Sequence, residues 1–338
     1  MNVGVQFKPE EFPVFIESVR KAEESGFSRV YLVDGQLLWR DIYVYMTHAL
    51  AATQQIPVAS AVTNPFTRHF SVTANVHATL AEIYPGRVML GIGRGDNAVR
   101  TLGLNPVATN QLKDVVPGLR ALMSGRPAQF NGSEIRSVWG PHEDVPILMP
   151  GSGPRNLRLA GALADVVMIQ VGANPASCKW AVDHIRAGAE SANRDPSEVK
   201  VVAHCAMCIS DDMAEARRET RWIAELVAIH VASVARSSTD HGMPEPLTRL
   251  AGLRRSDYDY SSHLDDKAER PEYSDDVIDD VALLGTPEDI LEKLQALAEV
   301  GIDEVAPAYL NGQLEQMEII GREIIPRALA LTGVSGSP

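Results

Sequence analysis

Eight times along this chain a short apolar run breaks on polar residues and gives way to a segment of helical periodicity. The runs are "VGVQF", "VYLV", "PVASAV", "RVMLGIG", "PILM", "VVMIQ", "VKVVAHCAMCI" and "GIDEVAPA". Eight strand–helix units in 338 residues are what an α/β fold of the (β/α)8 TIM-barrel type requires. The competing architecture, a doubly wound open sheet, uses fewer units and places its Gly-rich turn after the first strand. Here that turn, "LGIGRGD", belongs to the fourth unit. The expectation is one barrel domain spanning 1–338.

Helices are expected near 12–25, 41–53, 67–82, 112–123 and 213–235. In the first of these, Phe12, Phe15, Val19 and Ala22 form the inner face and Gly26 stops the helix. "PAQFNGSEIRSVWG" holds an Asn-Gly turn between extended pieces and reads as a surface hairpin near 128–139. Residues 237–280 are polar and weakly periodic, which marks a helical insertion with the character of a lid.

The net charge of −13 repels phosphate backbones and argues against nucleic acid as a partner. No run approaches the roughly 18 apolar residues of a membrane span. The start lacks the pattern of a secretory signal, and three cysteines in 338 residues form no disulfide framework. A cytoplasmic protein acting on a small molecule is expected.

Barrel active sites lie at the carboxyl ends of the strands. That rule selects Gln6, Asp34, Ala61 to Asn64, Gly93 to Asn97, Gly151 to Gly153, Gln170 to Ala173 and Ala306 to Ala308. Small residues there admit a flat ligand, and the acids and amides orient it. Gly91, Gly93 and Gly95 miss the G-x-G-x-x-G spacing of a dinucleotide turn; they are read as letting backbone approach a planar ligand. Asp96 is also a candidate helix N-cap, and Asn64-Pro65 an ordinary turn initiator. "GSGPRNLRLAG" presents backbone N–H groups at a helix start, suited to a phosphate with Arg155 or Arg158 assisting. Trp39, Tyr43, Tyr45 and Trp139 are candidates to line a substrate pocket. Cys205 and Cys208 fall on opposite faces of one strand with no partner pair, so no metal site is expected.

The segment "SAVTNPFTRHFSVTANVHATLAEIYPGRVMLGIGRGDNAVRTLG" resembles the bacterial luciferase-like superfamily, and within it the methylene-tetrahydromethanopterin reductases. The shared motifs are Val62 to Pro65, Ala78 to Leu80 with Gly86 and Arg87, and Gly91 to Asp96. "LLGTPEDILEKLQALAEVGIDEVA" resembles the superfamily's last strand–helix region. The resemblance implies a barrel whose mouth holds a 5-deazaflavin (coenzyme F420, 8-hydroxy-5-deazaflavin) or FMN. It also implies a non-prolyl cis peptide at Ala61-Val62 behind the ring. Ring contacts would come from Asp34, Ala61, Val62, Thr63 and Asn64 on one side. Gly93, Arg94, Gly95 and Asp96 would supply the other, with Gly151, Ser152 and Gly153 as the phosphate loop and Gln170 nearby.

Two positions depart from the reductases. They carry Glu where this chain has Gln6, and tend to carry His where it has Gly35. An amide does not exchange protons as a carboxyl group does. The catalytic candidates are therefore Asp34 and Asp96, with Gln6 in the altered position. The main reading is hydride transfer between a deazaflavin and an organic substrate. The alternatives are a monooxygenase using reduced FMN from a separate flavin reductase, and a non-catalytic flavin-binding protein. The resemblance also implies a homodimer.

Overall fold

The computed structural model describes residues 1–140, 143–235, 242–253 and 272–331. Eight parallel strands close into a barrel. They are β1 (Asn2–Val3 with Val5–Phe7), β2 (Val30–Leu32), β3 (Val58–Ser60), β4 (Val88–Gly91), β5 (Ile147–Gly151), β6 (Val166–Ile169), β7 (Lys200–Ile209) and β8 (Glu304–Pro307). Each pairs with the next in chain order, and β8 returns to β1 through Asn2↔Glu304 and Val3↔Val305. Every expected run forms its strand.

Alternation along the strands divides the core in two. Val5, Phe7, Val30, Leu32, Val88 and Leu90 point outward into the large layer shared with the helices. Tyr31, Ala59, Met89, Leu148, Met168, Val202 and Ala306 fill the barrel interior. The outer helices begin with α1 (Phe12–Glu24), α2 (Ile42–Ala52), α3 (Phe70–Ile83), α4 (Asn97–Arg100) and α5 (Thr109–Met123). They continue with α6 (Pro154–Leu163), α7 (Pro175–Ser191), α8 (Met213–Thr220), α9 (Trp222–Ala235), α10 (Glu245–Gly252), α11 (Asp275–Val281) and α12 (Pro287–Glu299). Leu314–Ile319 then runs through a π turn into Ile325–Leu331.

Local chemistry sets these boundaries. Asp41 caps α2 by accepting from the N–H groups of Tyr43 and Val44, and Asn174 caps α7 likewise. Thr286 and Asp289 form a capping box on α12. The guanidinium of Arg87 donates to the carbonyls of Leu50, Thr53 and Ile56, closing the end of α2. Arg87 is thus a structural member of the "GR" motif.

Three features differ from expectation. Phe12 is 40% exposed, because at the first position of α1 its ring turns onto Tyr45 and His48 of α2. The single helix expected over 213–235 is two, broken at Arg221. A ninth parallel strand, Ala282–Gly285, pairs with Ala206 to Ile209 of β7; its run sits at the end of the stretch read as insertion. Of the described parts of 237–280, α10 and α11 are helical, joined by the ion pairs of Arg249 with Asp276 and Asp280. Residues 237–241 and 254–271 lie outside the described residues. The hairpin is present, with Ala128–Phe130 antiparallel to Ser133–Ile135.

The close approach at Gly91 is to protein rather than to ligand space. A Cβ there would lie 2.0 Å from the carbonyl oxygen of Ser60 on β3. The obstacle is strand backbone, which cannot swing away as a side chain could. Gly91→Ala is therefore expected to destabilise the fold by about 3 kcal/mol. A urea midpoint equal to that of the wild type would show that β3 and β4 are not packed this closely.

Candidate active site

A cavity of about 300 Å³ opens at the carboxyl ends of the strands. Most of the candidate positions meet in it. From the first three strand ends come Gln6, Asp34, Ala61 and Val62. The loop after β4 contributes Gly93, Arg94, Gly95 and Asp96. From β5 and β6 come Gly151, Ser152 and Gln170.

Of the residues expected to contact the ring or form the phosphate loop, three lie outside the lining, as do 171–173 and 306–308 among the strand-end candidates. Thr63 is fully buried and donates its hydroxyl to Asp34 at 2.7 Å. Asn64 turns its Oδ1 back on the N–H groups of Phe66 and Thr67, which is the ordinary turn geometry. Gly153 sits at the N-cap of α6. Of the four aromatic candidates only Trp39 lines the cavity. Tyr43 lies under the guanidinium of Arg68, Tyr45 donates to the carbonyl of Glu10, and Trp139 donates to Asn75.

Asp34 follows β2 by two residues, with a side chain only 2% exposed. Its Oδ2 accepts from Thr63 and from the Arg68 guanidinium, each at 2.7 Å. Arg68 spans to Asp41, the cap of α2, at 2.8 Å. Burial raises the Asp34 pKa from its ordinary value, with Arg68 and Thr63 opposing. The outcome is a carboxyl group held in one place, with burial disfavouring its charged form.

Asp96 differs. It is half-buried, ion-paired with Arg100 one turn along α4, and makes no side-chain cap. Gly35, next to Asp34, has no room for a larger residue. A Cβ would come within 2.9 Å of the Trp39 ring, so the indole occupies the space a side chain at 35 would need.

At the cavity floor the peptide Ala61-Val62 is cis. The Gln6 amide joins two strands there. Its nitrogen donates to the Ala61 carbonyl at 3.2 Å, and its Oε1 lies 2.9 Å from Nε2 of His204 on β7. Burial, with the neighbouring His230, holds the His204 pKa down to about 3, so the ring is neutral and its Nε2–H is the donor to Gln6. His204 is absent from the candidates drawn from strand ends. Strand parity carries the signal: Val202 faces the barrel interior, and His204 follows it by two. His230 of α9 and Tyr309 beyond β8 also reach the cavity.

Elsewhere, Lys179 is an exposed ion-pair partner of Asp183 on α7. Among the described residues no group of His, Cys, Asp and Glu could hold a metal ion. No described helix is long and apolar enough to cross a membrane.

Comparison with known proteins bears on this arrangement. A 5,10-methylenetetrahydromethanopterin reductase of Methanolobus tindarius is 30% identical over 96% of this chain and 100% of that protein. An F420-dependent glucose-6-phosphate dehydrogenase of Nakamurella multipartita is 28% identical over 97% of this chain and 95% of its own. The coenzyme F420-dependent tetrahydromethanopterin reductase of Methanopyrus kandleri superposes with a TM-score of 0.69 at 24% identity, covering 96% and 98% of the two chains. The family model described as luciferase-like monooxygenase matches residues 4–304. On the family model and the 30% identical relative, the chain belongs to the luciferase-like monooxygenase family.

Proposed function

We propose that this chain is a coenzyme F420-dependent oxidoreductase that moves a hydride between the deazaflavin and a small organic substrate in the barrel-mouth cavity. The observation that carries the reading is the make-up of that cavity. Ala61, Val62, Met149 and Met168 give it an apolar lining, and Asp34 stands in its wall. Near-full-length relatives named as a reductase and as an F420-dependent dehydrogenase support the same chemistry.

The donor set fits the coenzyme. Apolar and small side chains suit a planar ring, while Ser152, Gln170 and the start of α6 suit its polar chain. When bound, the coenzyme supplies a carbon that gives and takes hydride, in place of the nitrogen used by flavins. The protein's own residues do the rest. The apolar lining excludes water and fixes the approach of the substrate. Asp34 takes the proton from a substrate hydroxyl or amine as the hydride leaves carbon, and returns it in the reverse direction. Arg68 and Thr63 hold that carboxyl group in place. Gln6 has no exchangeable proton of this kind; it ties the Ala61 carbonyl to His204 and keeps the floor in register.

The rival reading is a monooxygenase using reduced FMN, and the description of the family favours it. Equilibrium titrations of coenzyme F420 and of FMN into the purified protein separate the two. Micromolar binding of F420 with no binding of FMN is expected. The reverse, together with oxygen uptake in the presence of reduced FMN, would establish the rival.

A further inference from the structure

We propose that Tyr309 determines which substrates the site accepts: its ring walls the barrel-mouth cavity off from a second pocket and so limits the length of substrate that fits. The proposal rests on the reading of the cavity as a hydride-transfer site. The second pocket measures about 220 Å³ and lies between the end of β7, α8 and the segment after β8. Among the described residues, Tyr309 is the one that lines both spaces. Strand parity leads to the same place. His204 lines the cavity, and Ala206 and Cys208 continue its face of β7 into the second pocket. The two spaces are successive levels along one strand face, with an aromatic ring at their boundary.

That ring is fixed from several sides. Tyr309 has a φ of +62°, a left-handed conformation that bulky L residues rarely adopt. Its N–H donates to the Gln6 carbonyl at 2.7 Å, beside the bridge between Gln6 and Ala308. Trp222 of α9 packs on the ring with centroids 4.9 Å apart, and His204 meets it edge-on at 6.3 Å. The Lys8 ammonium stands 5.6 Å from its centre and is ion-paired with Glu10 at 2.8 Å. Burial alone raises the phenol pKa, with no hydrogen-bonded or charged partner acting on it among the described residues. The bulk of the ring is therefore what this position contributes.

Behind the ring, most polar side chains are engaged within the protein. Gln316 exchanges both bonds of its amide with the Ile209 backbone. Ser210 donates to Glu215, and Thr220 donates to the carbonyl of Ala216. What is left is the apolar surface of Met207, Cys208, Leu310 and Trp222, suited to an alkyl chain rather than an ion. With the ring in place the site takes compact substrates and turns away those with a long tail.

Tyr309→Gly is the variant of choice, because glycine adopts the left-handed conformation freely and only the ring is lost. Tyr309→Asn also tolerates that conformation and carries the test should the glycine variant not fold. The probes are n-butanol and n-octanol, titrated calorimetrically into the full chain. The wild type is expected to bind n-octanol no more tightly than n-butanol. Without the ring, each methylene that enters the second pocket should strengthen binding about fourfold, so n-octanol gains at least about tenfold while n-butanol changes little. Tyr309→Phe keeps the ring and should keep the wild-type limit. Cys208→Phe added to Tyr309→Gly refills the pocket and should abolish the gain. A wild type that prefers the longer alcohol, or a folded ring-deleted variant with no gain, would overturn the partition. A second arm adds coenzyme F420. If F420 does not bind while n-octanol still responds to loss of the ring, the hydride-transfer reading fails and the partition stands. If F420 binds and the alcohols ignore the ring, the partition fails and that reading stands.

Discussion

Asp34→Asn is expected to lower turnover by about 10²- to 10³-fold, the range for loss of a positioned acid–base group. The change preserves the shape of the side chain and its capacity to accept from Thr63, so affinity for coenzyme should be little altered. What it removes is the one titrating oxygen pair in the cavity wall that is buried and held by two donors at 2.7 Å. Asp96 is no substitute, because its carboxylate is committed to Arg100. The pH profile makes the test sharper. In the direction of substrate oxidation Asp34 must be ionised, so the wild-type rate rises with pH through its raised pKa. In the direction of reduction it must be protonated, and the rate falls through the same pKa. Both limbs should vanish in the asparagine variant. Unchanged single-turnover rates would remove Asp34 from proton transfer.

The second large effect concerns acid stability. His77 on α3 and His204 on β7 are buried, and burial lowers their pKa values to about 4 and about 3. In the unfolded chain both titrate near 6.5. Above that pH each ring is neutral in both states, and its contribution is fully present. As pH falls below 6.5 the unfolded chain takes up protons that the folded one refuses, and stability drains away towards the folded pKa. The loss by pH 4 is about 3 kcal/mol for each ring. Asp34 and Glu304 work the other way, since burial raises their pKa values. A single variant isolates the effect. Between pH 7.5 and 5 the urea midpoint of His77→Gln should fall less steeply than that of the wild type. Parallel slopes would mean that His77 is already solvated in the folded state.

The barrel was legible because each of its strands is a run bounded by polar breaks, and because chain order and spatial order coincide in this topology. Ala282–Gly285 escaped notice for the opposite reason. Its run follows a polar stretch and pairs only with the second half of β7, so nothing in the regular alternation announces it. The glycines after β4 pointed to close approach, yet the sequence does not say to what. At Gly91 the neighbour is the Ser60 carbonyl. Strand ends located the mouth of the barrel, but side-chain bonding decides which residues face it. Thr63 and Asn64 sit at the right place and are drawn away, one by Asp34 and the other by its own turn. His204 illustrates the converse. It lies within a strand and reaches the cavity by parity, meeting Gln6 from nearly 200 residues away.

The central claim is that the cavity at the strand ends is where coenzyme F420 sits. Its most direct test is a fluorescence titration of the coenzyme into the wild type and into Ser152→Trp, which fills the cavity from its β5 side. Micromolar binding by the wild type and a loss of at least about tenfold in the variant are the expected result. No binding by the wild type, or equal binding by both proteins, would contradict the claim.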